Sequence, residues 1–84
     1  MKIYNYNGQR NVSGDRIHQI RTTKRISQAD LAARIQTYGV NIGREAISKI
    51  ETGERIVTDY ELVVFAEVLG VSLEWLATGE QNGP

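Results

Sequence analysis

The chain has no cysteine and a single histidine, His18. Disulfides and thiolate metal sites are thereby excluded, and one lone imidazole argues against a nitrogen-ligated zinc site, so no metal or cofactor is expected. It also lacks an apolar run long enough to span a bilayer and a signal-peptide pattern at its start, which points to a soluble, cytoplasmic protein with no membrane partner. A further absence is of one sign of charge, since no lysine or arginine follows Arg55. At 84 residues there is room for one domain, near the size at which a lone core is only marginally stabilising, and a second ligand-sensing or catalytic domain is not expected.

Ten basic residues balance ten acidic ones, but they are not mixed. All the basic side chains, from Lys2 to Arg55, stand in the first part against five acids (Asp15, Asp30, Glu45, Glu51, Glu54), and only acids follow: Asp59, Glu61, Glu67, Glu74 and Glu80. A chain divided in this way can turn a positive face toward phosphates while a negative face keeps it soluble and discourages wrong partners.

Hydrophobic periodicity predicts five helices and no strands. The first runs over about 13–24, with Val12, Ile17 and Ile20 as apolar contacts and Asn11 or Ser13 as cap. The second starts at Ser27, whose hydroxyl can accept from the backbone near Asp30 in a variant of the capping box. Leu31, Ile35 and Tyr38 recur at helical spacing and carry it to Tyr38, before Gly39. A third helix covers about 44–52 and closes at Gly53, where a left-handed residue can end it. The fourth begins after Thr58, with Glu61 as reciprocal cap, and ends at Gly70; a short fifth spans 72–78 before Gly79. Residues 1–10 read as a flexible N-terminal extension, 11–79 as the domain and 80–84 as a frayed tail.

Two stretches, Ser27-Gln28-Ala29-Asp30-Leu31-Ala32 and Ala46-Ile47-Ser48-Lys49-Ile50-Glu51-Thr52-Gly53, resemble the second and third helices of the Cro and lambda-repressor-like (XRE) family. The resemblance covers residues 11–79 and implies a compact all-α, five-helix domain with a helix-turn-helix that binds double-stranded DNA. A helix fits the major groove, and the outer face near its N-terminus reaches base edges. With Ile47 and Ile50 facing inward and Ala46 close to the core, Arg44, Glu45, Ser48 and Lys49 are left as base-contacting candidates. Arg44 can bond guanine O6 and N7, Glu45 can accept from a cytosine amino group, Ser48 is small enough to approach a base or phosphate, and Lys49 suits either. Gln28 joins them, because in this family the residue there sits beside the DNA backbone and supports the first recognition-helix side chain. Ser27, at a helix N-terminus suited to a phosphate oxygen, and Thr22, Thr23, Lys24, Arg25, Thr52 and Arg55 are expected to contact the backbone, fixing register without specifying sequence. Glu51 and Gly53 are expected to be structural.

The chain departs from the family between Ala32 and Ile47, where the spacing from Leu31 to Ile47 is five residues longer than usual. Gln36, Thr37 and Tyr38 can lengthen the second helix, and the remainder can lengthen the turn over 39–43. Val40 and Ile42 are expected to tuck into the core. Gly43 stands where a capping serine is common, with Asn41 as a partial replacement.

In the fourth helix Leu62, Phe65, Ala66 and Leu69 form the expected core stripe, while Tyr60, Val64 and Val68 form another on the opposite side. With Trp75 or Leu76, this back stripe is the candidate for a two-fold homodimer contact; the alternative is that residues 1–6, through Ile3, Tyr4 and Tyr6, fold over it. The function expected is a transcriptional regulator, a repressor acting as a dimer on a palindromic operator. The alternative is an antitoxin-type module that binds a small protein partner and its own promoter. An enzyme is not expected, because His18 has no nucleophile or acid partner by spacing and the domain is too small to enclose a substrate.

Overall fold

A computed structural model of the chain describes residues 6–80. Five helices follow one another: α1 (Gly14–Thr23), α2 (Gln28–Gln36), α3 (Arg44–Glu51), α4 (Asp59–Leu69) and α5 (Leu73–Thr78). Among the described residues there is no strand, only the isolated pairing of Tyr6 with Gln9, and no helix is long and apolar enough to cross a membrane. The expected all-α, five-helix architecture is therefore the observed one, while the expectations for Ile3, Tyr4 and the end of the tail lie outside the described residues.

Each helix contributes apolar side chains to one core built from Ile17 and Ile20 of α1, Leu31 and Ile35 of α2, Ile47 and Ile50 of α3, Phe65 and Leu69 of α4, and Trp75 and Leu76 of α5. Fully burying a side chain of this size is worth about 1.5–3 kcal/mol, so a handful of them carries a domain this small. The caps are local. Ser27 Oγ accepts from Asp30 N–H at 3.0 Å, Thr58 and Glu61 form the reciprocal capping box of α4, and Ser72 Oγ accepts from Trp75 N–H at 3.0 Å. At α1 it is Asn11, not Ser13, that caps, its Oδ1 accepting from Gly14 N–H at 2.7 Å.

Several expectations are corrected. Val12 precedes α1 and is exposed, because the first core contact is made one turn later by Ile17. Helix α2 stops at Gln36, and the three following N–H groups close tighter bonds to the carbonyls of Arg34, Ile35 and Gln36. Tyr38, 53% exposed, therefore offers no buried contact to prolong it. The rest of the lengthened turn is pinned from inside: Ile42 is buried, Val40 packs against the core, and Gln36 Nε2 donates to the Ile42 carbonyl at 3.0 Å. Gly43 caps α3 without a side-chain bond, so Asn41 does not substitute for a capping serine. Trp75 and Leu76 are buried in the core and are not surface contacts, and Val64 and Val68 pack against that core from its edge. Of the three large apolar residues of the short α5, Trp75 and Leu76 turn inward and hold it down while Leu73 stays exposed.

Residues 6–10, the described part of the extension expected to be flexible, fold back with Asn11 onto the end of α3. Asn7 and Gly8 both take positive φ, 52° and 80°, the conformation of a tight hairpin turn favoured by Asn-Gly, and Tyr6 and Gln9 exchange two backbone hydrogen bonds across it, 2.6 and 3.0 Å. Arg10 N–H then donates to the Gly53 carbonyl at 2.9 Å, and Asn11 Nδ2 donates to Ile50 O at 3.0 Å and Arg55 O at 2.8 Å. Ile50 stands in the last turn of α3 and Gly53 and Arg55 in the segment that follows, so these bonds tie the N-terminal segment to the end of that helix. The approach is close enough that a methyl group on Gly14 would run into the Ile50 carbonyl oxygen. Gly14→Ala should therefore lower unfolding stability by about 1–3 kcal/mol, the usual range for overpacking, measured by urea titration; an unchanged midpoint would show that α1 can lift away from α3 without loss.

Candidate nucleic-acid interface

Helix α3 is strongly divided. Ile47 and Ile50 are fully buried and Ala46 packs against the core, leaving Arg44, Glu45 and Lys49 exposed and Ser48 half-buried. The ion pairs found among the described residues join Arg21 to Glu51 and Arg55 to Glu61, with His18 hydrogen-bonded to Glu51 as well, so the charged groups on the outer face of α3 are in none of them. The sequence-predicted reading residues Arg44, Glu45, Ser48 and Lys49 thus lie together on one helix face.

What orients that face is the carboxylate at the other end of α3. Glu51 is buried. Its Oε2 accepts from Arg21 Nε at 2.6 Å, and its Oε1 accepts from Arg21 Nη2 at 3.0 Å, from His18 Nδ1 at 2.9 Å and from Gln28 Nε2 at 3.1 Å. Arg21 completes its fork with the Ile26 carbonyl at 2.8 Å. One carboxylate therefore joins α1, the start of α2 and the last turn of α3 through charge-assisted bonds. Burial pushes the Glu51 carboxyl up, but the hydrogen bonds from Arg21, His18 and Gln28, with the Arg21 charge, outweigh it and hold the group below the ordinary carboxylate range. The Glu51 hydrogen bond holds the Arg21 guanidinium above its ordinary value, against the opposing effect of burial. Gln28 is linked to the recognition helix, as the resemblance implied, but through Glu51 and not through Arg44.

The residues expected to touch the DNA backbone divide into two groups. Ser27, Arg25 and Thr52 are exposed on the loops and helix ends around α2 and α3, with the Thr52 hydroxyl donating to the Lys49 carbonyl and the Glu54 carboxylate. Thr22 and Thr23 are also exposed, but their hydroxyls donate to carbonyls one turn back, Thr22 to His18 and Gln19 and Thr23 to Gln19. Two cations have other partners. Lys24 Nζ donates to the Leu69 carbonyl at 2.7 Å, closing the end of α4. Arg55 reaches Glu61 through both terminal nitrogens, at 3.0 and 3.2 Å, so its guanidinium braces the start of α4 and is not a free anchor. Sequence reasoning missed His18 and Arg21 as positioning residues; their spacing on α1, which places both on one helix face, was the available signal.

The chain belongs to the helix-turn-helix family: the family model, described as "Helix-turn-helix", matches residues 17–76. Its five-helix arrangement is the lambda-repressor-like form of that family, and the solved structure of the P22 c2 repressor in complex with a synthetic operator is similar to it, with a TM-score of 0.71 and 26% sequence identity over 83% of this chain and 98% of that one. No curated protein matches the sequence.

Glu51 gives the domain an acid dependence of definite sign. A carboxyl whose folded pKa is depressed contributes stability that is complete above its unfolded value and is lost as pH falls through the folded one. Glu61 adds to the same limb: burial pushes it up, but the hydrogen bonds from Arg55 and Thr58 and the Arg55 charge outweigh this and lower it. Urea unfolding between about pH 5 and pH 3 should show stability falling with pH, as linkage requires, and Glu51→Gln should reduce both the plateau and the steepness. Arg21→Met, which leaves the carboxylate buried without its main partner, should cost about 3–5 kcal/mol. A Glu51→Gln protein with the parent plateau and slope would contradict the clamp.

Proposed function

We propose that the chain is a transcriptional repressor that binds a palindromic operator as a homodimer, reading bases with Arg44, Glu45, Ser48 and Lys49 on the outer face of α3. The observation that carries this reading is that face: three charged side chains outside every ion pair found among the described residues, on a helix whose orientation is locked by a buried carboxylate. Exposed charges held in one register, beside the N-terminus of α2, suit a polar and charged partner surface such as the major groove, where Arg reads guanine and Glu accepts from cytosine. The similar P22 c2 repressor domain, solved with operator DNA, and the helix-turn-helix family match support the same reading. The charge division supports it as well, since α4 and α5 carry acids and no basic residue and would repel phosphates.

Of the side chains first expected at a dimer contact, Tyr60 is kept and Val63 joins it. With Val64 and Val68 packed against the core, the large apolar groups turned outward from α4 are Tyr60, 60% exposed, and Val63, 52% exposed, three residues apart on one face. A two-fold pairing would set the recognition helices about one DNA turn, roughly 34 Å, apart.

Selection of bound duplexes from random DNA tests the reading. A palindromic consensus is expected, with Arg44→Ala relaxing preference at one base pair per half-site by about 1–3 kcal/mol. A featureless pool would overturn it. For the dimer, Val63→Glu should remain folded, sediment as a monomer and bind the selected duplex more weakly, because an unpaired carboxylate in the contact must be desolvated; an unchanged dimer would place the interface elsewhere.

A further inference from the structure

The hairpin turn over 6–9 leaves Arg10 in a fixed place at the end of the recognition helix. Its N–H is bonded to the Gly53 carbonyl at 2.9 Å, and the Gln9 side chain lies where a side chain on Gly53, itself at a φ of 82°, would stand. The Arg10 side chain is exposed, and its one hydrogen bond among the described residues, Nη1 to the Glu54 carbonyl, is long at 3.5 Å. Two open surface clefts of about 460 and 450 Å³ meet here, and both are lined by Arg10, Lys49 and Glu54; the first also takes in Glu45, and the second Gly8 and Thr52. Lys49 is on the outer face of α3, so Arg10 extends that face sideways, beyond the helix itself. The Glu54 carboxylate accepts from Thr52 Oγ1 at 2.6 Å and forms no ion pair with either cation.

We infer that Arg10 is a phosphate-contacting residue and that the N-terminal hairpin belongs to the DNA interface; this rests on the DNA-binding reading above. Arg10 and Lys49 line the same exposed clefts and stand outside every ion pair found among the described residues, so a phosphate held there gains their charge while releasing a counterion. A planar guanidinium whose fork is nearly free can bond two phosphate oxygens at once. The backbone, not the side chain, anchors the residue, so its guanidinium can be turned to the duplex without disturbing the hairpin. Such a contact fixes where the recognition helix sits along the groove and carries no base preference.

The test compares the unmodified chain with Arg10→Ala, Arg10→Gln and Arg10→Lys on the selected duplex and on an unrelated duplex of equal length, over a range of salt. Arg10→Ala and Arg10→Gln should both bind several-fold more weakly to the two duplexes alike, with a slope of log affinity against log salt shallower by roughly 0.9 per subunit; Arg10→Lys should keep the parent slope. Glutamine can still donate to the Glu54 carbonyl, so recovery of binding in Arg10→Gln would make the role structural and overturn the inference. It is equally overturned if Arg10→Ala keeps the parent affinity and slope while the parent itself shows steep salt dependence, or if only the preference at one base pair changes. Absence of any DNA binding by the unmodified chain would remove the functional reading and this inference together.

Discussion

The Glu51 carboxylate holds the geometry on which the rest of the molecule depends. It sits at the last turn of α3 and is bonded to His18 and Arg21 on α1 and to Gln28 at the first residue of α2. A buried ion pair contributes little net stability, because the desolvation of two charges offsets most of their attraction, yet loss of one partner is costly. Its effect here is directional. Aliphatic packing of Ile47 and Ile50 would tolerate some rotation of α3, whereas a bidentate arginine fork and two further donors aimed at one carboxylate permit a single register. The exposed side chains at the other end of the same short helix inherit that register.

A second constraint comes from the chain outside the helix-turn-helix. Arg10 N–H, directly after the hairpin over 6–9, and the Asn11 side chain donate to carbonyls around the end of α3. Beside the same hairpin, Arg16 donates to the Leu76 and Ala77 carbonyls at the end of α5, and Lys24 does the same for Leu69 at the end of α4. Long basic side chains thus close helix ends, where a partial negative charge favours them. This explains why part of the basic half of the sequence is not available to a partner: Arg16, Arg21, Lys24 and Arg55 hold the fold, and among the described residues Arg10, Arg25, Arg34, Arg44 and Lys49 are left exposed.

Helix order, caps and most of the core were legible because they follow local rules. Ser27 with Asp30, Thr58 with Glu61, and the glycines after α3, α4 and α5 behave as their spacing implies. What the sequence could not show were choices made by long-range packing. Trp75 and Leu76 could stand on either side of a short helix, and only the space beneath α5 turns both inward. Val64 and Val68 read as a second face, but a thin core leaves a helix such as α4 wetted on a narrower arc than a helical wheel suggests. Tyr38 has the right spacing to extend α2, yet nothing lies over it. The outer face of α3 was visible from Ile47 and Ile50 alone; the clamp on Glu51 was not, because its partners come from two other helices. The hairpin did carry a local signal in Asn7-Gly8, the strongest short turn dipeptide.

The domain is therefore a small frame that presents one face of one helix, flanked by a docked arm, and turns its acidic helices away. That account is tested most directly by titrating duplex DNA into the isotopically labelled protein and following backbone amide resonances. It predicts that the large changes cluster at the first half of α3, at Ser27 and Gln28, and at Arg10. Changes concentrated on α4 and α5, with α3 unmoved, would contradict it.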